Sequence, residues 1–306
     1  MKIVMPGGSG QVGHILSRHF EAQGHDVAVL TRHQSPAEWA DALDGADVCI
    51  NLAGRSVNCR YHAANRRAIF DSRIDTTRQL NRIIAQLPHP PRLWLNASTA
   101  TIYRHALDRP MDEATGELGG GEAGAPDTWN FSIRVAKGWE EAFFETPTPR
   151  TRKVAMRSAV TLSPDRGGIF DVLLGLVRHG LGGTQGPGTQ FVSWIHEVDF
   201  ARAVDLLIAR EEFTGVVNLA SPNPVPNADF LRTLRRAWGT RIGLPAPSWL
   251  IEIGTWLMRT ESELVLKSRR VVPARLLDAG FQFSFPEWPA AARDLVDRWR
   301  GKSSYN

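Results

Sequence analysis

Four glycines in PGGSGQVG, near the start of the chain, carry its clearest chemistry. Gly7, Gly8, Gly10 and Gly13 follow a short apolar strand, Lys2 to Met5, and lead straight into a helical pattern from Val12 to about Gln23. A dinucleotide cradle needs that order. One glycine makes the sharp turn, one lets backbone approach a pyrophosphate, and one lets helix pack closely on strand. The phosphates then rest on the exposed N–H groups and the positive dipole end of the helix. Gly7, Gly8, Ser9, Gly10, Gln11, Val12 and Gly13 are therefore expected to hold a dinucleotide. The spacing is GxxGxxG, not the GxGxxG of simple dehydrogenases, and no Gly-Lys-Ser/Thr follows, which excludes a nucleoside-triphosphate P-loop.

The second strand, Asp26–Leu30, delivers Thr31-Arg32-His33 at the place where NAD selectivity usually puts an acid on the ribose 2′-hydroxyl. No acid stands there. Arg32 can fork onto a 2′-phosphate and stack on adenine, so Thr31 and Arg32 predict NADP(H) over NAD(H). The histidines are scattered without metal-ligand spacing, and no metal is expected.

Strands and helices alternate through roughly the first 160 residues, the mark of a parallel doubly wound sheet. A short helix at Pro36–Leu43 precedes a strand at Asp47–Asn51, which ends in NLAG. A long helix from about Ala63 to Leu87 is stopped by Pro88, Pro90 and Pro91. Strands follow at Arg92–Ala97 and Lys153–Val160, with a helix around Phe131–Glu145 between them. The loop Asp108–Asp127, rich in Gly, Pro and acids, is expected to cover an opening. From Ser163 the texture becomes glycine-rich and proline-punctuated. The fold class is thus read as α/β, a Rossmann-type doubly wound parallel sheet with a smaller C-terminal substrate lobe. The expected division is residues 1–163 with 189–220 returning to the sheet, 164–188 and 221–301 as the lobe, and 302–306 as a disordered tail. The tryptophan-rich stretches near Trp238, Trp249, Trp256 and Trp288 read as lobe core.

Composition narrows the class. The chain has 306 residues, a formal charge of +4, 42% hydrophobic and 22% charged residues, as ordinary globular enzymes do. Arginine carries most of the positive charge and suits an anionic cofactor or substrate. No basic stripe with a nucleic-acid module is present, so no nucleic-acid partner is expected. Cys49 and Cys59 read as free thiols of a reducing compartment. The N-terminus shows no signal-peptide pattern, and the apolar stretch Trp249–Met258 is short and holds Glu252, so no membrane span is expected. A cytoplasmic enzyme with a small-molecule substrate, monomer or homodimer, is the expectation.

Together GGSGQVG, NLAG at Asn51–Gly54, Ser98-Thr99-Ala100-Thr101-Ile102-Tyr103 at a strand end and SWIHEVD at Ser193–Asp199 resemble the extended short-chain dehydrogenase/reductase superfamily. DSRIDTTRQL at Asp71–Leu80, GLGG at Gly180–Gly183, NLASPNPVPNADF at Asn218–Phe230 and SRRVVPARLLDAGF at Ser268–Phe281 resemble its nucleoside-diphosphate-sugar epimerase-like branch. The resemblance covers nearly the whole chain. Ligands of an open α/β sheet bind beyond the carboxyl ends of its strands, so the nicotinamide is expected among Gly54, Ser98, Thr99 and the turn Ser158, Ala159, Val160, with Leu52 and Ala53 also expected to bind the cofactor. Arg269 and Arg270 are candidates for an anionic substrate, or for a salt bridge on the lobe surface.

The superfamily's usual engine is Tyr-x-x-x-Lys on one helix beside a Ser/Thr at a strand end. Lysine one turn from tyrosine lowers its pKa, and the phenol moves the proton that accompanies hydride transfer. Among the three tyrosines, Tyr61, Tyr103 and Tyr305, none has lysine four residues later. The corresponding helix reads NFSIRVAKGWEEA. With Glu141 as register mark, Lys137 is retained and Ile133 replaces the tyrosine; with Glu140, Ser132 and Ala136 stand in for both. Ser98 or Thr99 resembles the family's hydroxyl, against the plainer reading of a backbone cap. Tyr103 is read as a displaced acid/base or as part of the cofactor pocket. His196 and Asp199 read as structural, Asp199 as an N-cap or first-turn acid. Two functions follow: an NADP(H)-dependent oxidoreductase or epimerase-like enzyme with an altered proton-transfer group, or a catalytically silent NADP(H)-binding sensor.

Overall fold

The protein was analysed as a computed structural model, which describes residues 1–248, 251 and 263–303. Its strands are β1 Lys2–Pro6, β2 Asp26–Leu30, β3 Val48–Asn51, β4 Leu93–Thr99, β5 Arg152–Ser158, β6 Val160–Leu162, β7 Phe191–Val192, β8 Trp194–His196, β9 Gly215–Leu219 and β10 Val225–Pro226. The helices used below are α1 Gln11–Ala22, α2 Pro36–Leu43, α3 Ala63–Gln86, α4 Asp127–Phe144, α5 Ile169–Arg178, α6 Glu197–Ala209, α7 Asn227–Trp238, α8 Ala274–Asp278 and α9 Trp288–Ser303.

Six strands form one parallel sheet in the order β2-β1-β3-β4-β5-β9. The connections reverse direction between β1 and β3. This is the switch point at whose carboxyl edge open α/β sheets bind ligands. Strands such as VCIN in β3 are buried throughout because helices cover both faces. One face packs Ile3, Met5, Ile50, Leu95 and Met156 against α1 and α6, through Leu16, Phe20, Val204 and Leu207. The other packs Val4, Cys49, Trp94 and Ala155 against α2, α3 and α4, through Leu43, Leu80 and Phe143. Burial pushes the Cys49 thiol far above its ordinary pKa, so it behaves as core rather than as a nucleophile.

A separate cluster joins α5, α7 and α9 through Phe170, Leu174, Phe230, Leu234, Trp288, Leu295 and Trp299. Phe230 and Trp288 stack with centroids 4.1 Å apart. The chain does not stay within this cluster after residue 221. Leu276, Phe281 and Phe283 return to the main core, so α8 and the following loop help close the sheet's β9 side. Helix α9 also continues to Ser303, into the stretch expected to be a tail. The apolar stretch around Trp249–Met258 falls outside the described residues apart from Ile251. No helix among the described residues is long and apolar enough to cross a membrane.

Candidate functional site

The glycine loop is fixed by close approaches that only glycine permits. Gly7 has φ +74, and a Cβ there would lie 2.4 Å from Ala53 Cα. A Cβ on Gly13 would lie 1.9 Å from the Gly8 carbonyl oxygen. Gly7 N donates to Leu30 O at 2.8 Å and Leu52 N to Pro6 O at 2.8 Å, so the loop, the end of β2 and the NLAG turn form one backbone surface. Gly10 caps α1 in extended conformation with no side-chain cap, and Ser9 and Gly10 are exposed. The first N–H groups of α1 thus keep the character of an anion site. Gln11 packs against Gly168, and its Nε2 is buried with no partner among the described residues. Val12 packs against the main core.

Thr31 and Arg32 leave β2 beside this loop. Thr31 N donates to Gln34 Oε1 at 2.7 Å, which shapes the turn. Arg32 is exposed and has no side-chain partner among the described residues, in a stretch without a nearby acid before Glu38. Asn51, at the end of β3, accepts from Ala53 N at 3.1 Å and donates to Asn96 Oδ1 at 2.7 Å, which sets the NLAG turn. Leu52 packs on the core, and Gly54 is exposed. The Arg73 guanidinium carbon lies 3.1 Å from where a Gly54 Cβ would be.

The other half of the edge is built from side chains. Ser98 pairs in register with Arg157, and Thr99 with Ser158. Ser98 Oγ donates to Glu140 Oε1 at 2.6 Å, and Arg157 grips the same carboxylate through Nε at 2.8 Å and Nη2 at 2.7 Å. Arg157 Nη1 also donates to the Tyr103 hydroxyl at 3.0 Å, which in turn donates to Asn218 Oδ1 at 2.9 Å. All five residues are buried. Burial, above all, raises the Tyr103 pKa. Ser98 and Tyr103, read from sequence as catalytic candidates, are thus joined in one buried network, in which both hydroxyls donate to protein acceptors. Thr99 is different. Its oxygen accepts from Thr101 N at 3.1 Å, and its hydroxyl hydrogen has no acceptor among the described residues. Ser158 Oγ donates to Met156 O at 3.4 Å, Ala159 N to Leu219 O at 2.9 Å and Val160 N to Ser193 O at 3.3 Å.

The network also orients α4: Glu140 is buried on Arg157 whereas Glu141 is exposed. Lys137 takes no part in it among the described residues. It lies one residue, about 100°, round the helix from buried Ala136. It is exposed, with Nζ 3.7 Å from where a Gly120 Cβ would sit. Ser132 Oγ donates to Glu263 Oε2 at 2.5 Å. Lys267 Nζ donates to Thr101 O at 2.8 Å and Arg269 Nε to Thr101 Oγ1 at 3.1 Å, so residues from the chain's last third close this corner. Burial, reinforced by Arg269, lowers the Lys267 pKa to about 8. Arg270 instead donates to Leu107 O at 3.3 Å and Asp108 O at 3.2 Å, bracing the start of the acidic loop. Within that loop, Glu113 accepts from Asn218 N at 2.8 Å.

His196 caps α6, its Nδ1 accepting from Val198 N at 3.2 Å, and Asp199 takes the backbone N–H groups of Ser284 and Phe285 at 2.7 and 2.8 Å. The cap is thus the histidine, and the aspartate ties α6 to the chain before α9. Among the described residues no cluster of metal-ligating side chains occurs. Sequence reading passed over Asn51, Arg73 and Arg157. The one visible signal was Arg157, a charge that directly follows the apolar run Val154-Ala155-Met156 inside a strand.

Residues 3–120 match the model of the NAD dependent epimerase/dehydratase family, and residues 246–295 match a domain of unknown function, DUF1731. The chain is 32% identical over 305 residues to the human epimerase family protein SDR39U1, covering 97% of this chain and 100% of that protein. It belongs to this epimerase family. The crystal structure of human SDR39U1 (isoform 2) with NADPH matches with a TM-score of 0.86 at 30% identity, over 97% of this chain and 99% of that one. Epimerase family protein YfhF of Bacillus subtilis is 28% identical, over 97% of this chain and 98% of that protein. The epimerase-family fold is thus the Rossmann-type sheet expected from the glycine spacing.

Proposed function

We propose that the protein is an NADP(H)-dependent oxidoreductase or epimerase-like enzyme acting on a small carbonyl or sugar-nucleotide-like substrate without the Tyr-x-x-x-Lys dyad. The observation that carries this reading is the cradle at β1, β2 and β3, where Gly7 and Gly13 have no room for a Cβ and α1 begins without a side-chain cap. A dinucleotide fits it. Gly7 to Gly13 would hold the pyrophosphate, Arg32 the 2′-phosphate, and Gly54, Thr99 and the Ser158–Val160 turn would border the nicotinamide. That human SDR39U1 was crystallised with NADPH supports the same cofactor. When bound, the group supplies hydride chemistry; the chain supplies orientation and the proton. The sheet would bind the cofactor, and the chain from 164–188 and 221 onward would bind the substrate.

The absence of that dyad keeps a second reading open, a catalytically silent NADP(H) sensor. A screen of carbonyl, enone and sugar-nucleotide compounds for NADPH oxidation separates the two. Turnover that falls at least tenfold in Thr99→Ala, with NADPH affinity retained, is the expected result. Tight NADPH binding with no substrate turned over gives the sensor reading.

A further inference from the structure

The three most exposed large apolar side chains among the described residues sit on two adjoining loops. Ile242 is 68% exposed, Leu244 61% and Leu181 49%. Leu244 N donates to Gly180 O at 2.8 Å and Gly183 N to Leu244 O at 3.2 Å, so the chain after α7 runs alongside the chain after α5. A Cβ on Gly180 would lie 3.6 Å from Ile242 Cγ2. Arg235 braces the pair from α7, its Nη1 donating to Gly182 O at 2.5 Å. A single exposed aliphatic is ordinary; three gathered on one braced ridge mark a contact surface.

The charge around the ridge has one sign. No Asp or Glu occurs between Asp171 and Glu197 or between Asp229 and Glu252, the stretches that supply both loops, whereas Arg178, Arg232, Arg235, Arg236 and Arg241 all do. Arg178, Arg232, Arg236 and Arg241 are exposed. Asp229 engages Arg232, and Arg178 lies 4.7 Å from the Trp299 ring centroid. Burial, with the like charges of Arg232 and Arg236, holds the Arg235 pKa below its ordinary value, so these arginines crowd one another. We propose that this face, made by α7 and the loops after α5 and α7, docks reversibly on an anionic lipid surface, with Leu181, Ile242 and Leu244 entering the headgroup boundary. A second copy of the chain, meeting the same patch, would set the arginines against their own counterparts. Anionic headgroups relieve that crowding, and arginine forks onto their phosphates. Aliphatic insertion and a basic patch are the two signals that together hold a peripheral protein on a bilayer. No residue of the dinucleotide cradle takes part.

Co-sedimentation of the full chain with vesicles of phosphatidylcholine alone, and with vesicles half phosphatidylglycerol, tests this. Binding is expected to the anionic vesicles only, and to be released by salt. Ile242→Asn with Leu244→Asn leaves every charge in place and should weaken binding about tenfold. Arg236→Glu with Arg241→Glu should weaken it at least as much. All four side chains are exposed, so circular dichroism and NADPH affinity should match the wild type. A chain that binds neither vesicle, or both alike, overturns the proposal. So does unchanged affinity after Ile242→Asn with Leu244→Asn, which is adsorption by net charge alone. Equal affinity for dissolved polyglutamate also overturns it, in favour of an acidic protein partner. Each of these failures leaves the NADP(H) reading standing, because NADPH titration measures that reading separately.

Discussion

The two halves of the sheet's carboxyl edge solve different problems with different materials. Between β1 and β3 the surface is backbone, held by Gly7 and Gly13 at distances that exclude a Cβ. Between β4 and β5 it is side chain, a buried chain of Ser98, Glu140, Arg157, Tyr103 and Asn218 drawn from β4, α4, β5, β9 and the turn after β4. A backbone surface depends on what is absent from a residue. A side-chain network depends on every partner being present, since a buried charge without its partner is costly. The first half should therefore fail through bulk, the second through imbalance.

The largest effect is expected from Glu140→Ala, which leaves Arg157 buried without its carboxylate. It should lower the folding free energy by about 3–5 kcal/mol in urea titrations. Ser98→Ala, which removes one hydrogen bond but leaves the ion pair, should cost about 1 kcal/mol. Equal losses for the two would remove the distinction between a network and a simple hydroxyl contact. Gly13→Val tests the other half. Its side chain collides with the Gly8 carbonyl, so NADPH affinity should fall ~100-fold, about 2.7 kcal/mol, with the calorimetric titration accompanied by circular dichroism to show that the sheet persists.

A smaller effect concerns pH. His196 is buried, accepts from Val198 N through Nδ1, and contacts Asp294 Oδ2 through Nε2 at 3.0 Å. Burial holds its pKa below the ordinary imidazole value, against the pull of Asp294. The unfolded chain then takes up a proton first as pH falls. The contribution is therefore complete above ~6.5 and is lost on acidification below it. The drop in Tm between roughly pH 7.5 and 5.5 should shrink in His196→Gln. The smallest effect is at exposed Lys137, where Lys137→Ala should change stability by less than about 0.5 kcal/mol and leave NADPH affinity unchanged.

The same contrast explains what the sequence disclosed. The doubly wound α/β class and the glycine loop were legible because strands and helices alternate and because strand, glycines and helix follow one another within thirteen residues at the start. β2 and α2 were legible down to their ends, since Ser35 and Glu38 open α2 with a capping box and Pro36 takes its first position. The corner between β4, β5 and α4 was not. That Glu140 rather than Glu141 is buried depended on Arg157, seventeen residues on and in a different element. That the Ser98 hydroxyl donates to a protein carboxylate while Thr99 only accepts from Thr101 N depended on which face of β4 met α4.

The central claim is that the cradle holds NADP(H), with Arg32 reading the 2′-phosphate. Calorimetric titration of the wild-type chain and of Arg32→Ala with NADPH and with NADH tests it most directly. The account predicts NADPH bound at least tenfold more tightly than NADH by the wild type, and a preference largely lost in Arg32→Ala while NADH affinity is kept, a change of about 1.4 kcal/mol or more. Equal affinities of the wild type for the two cofactors, or no binding of either, would contradict it.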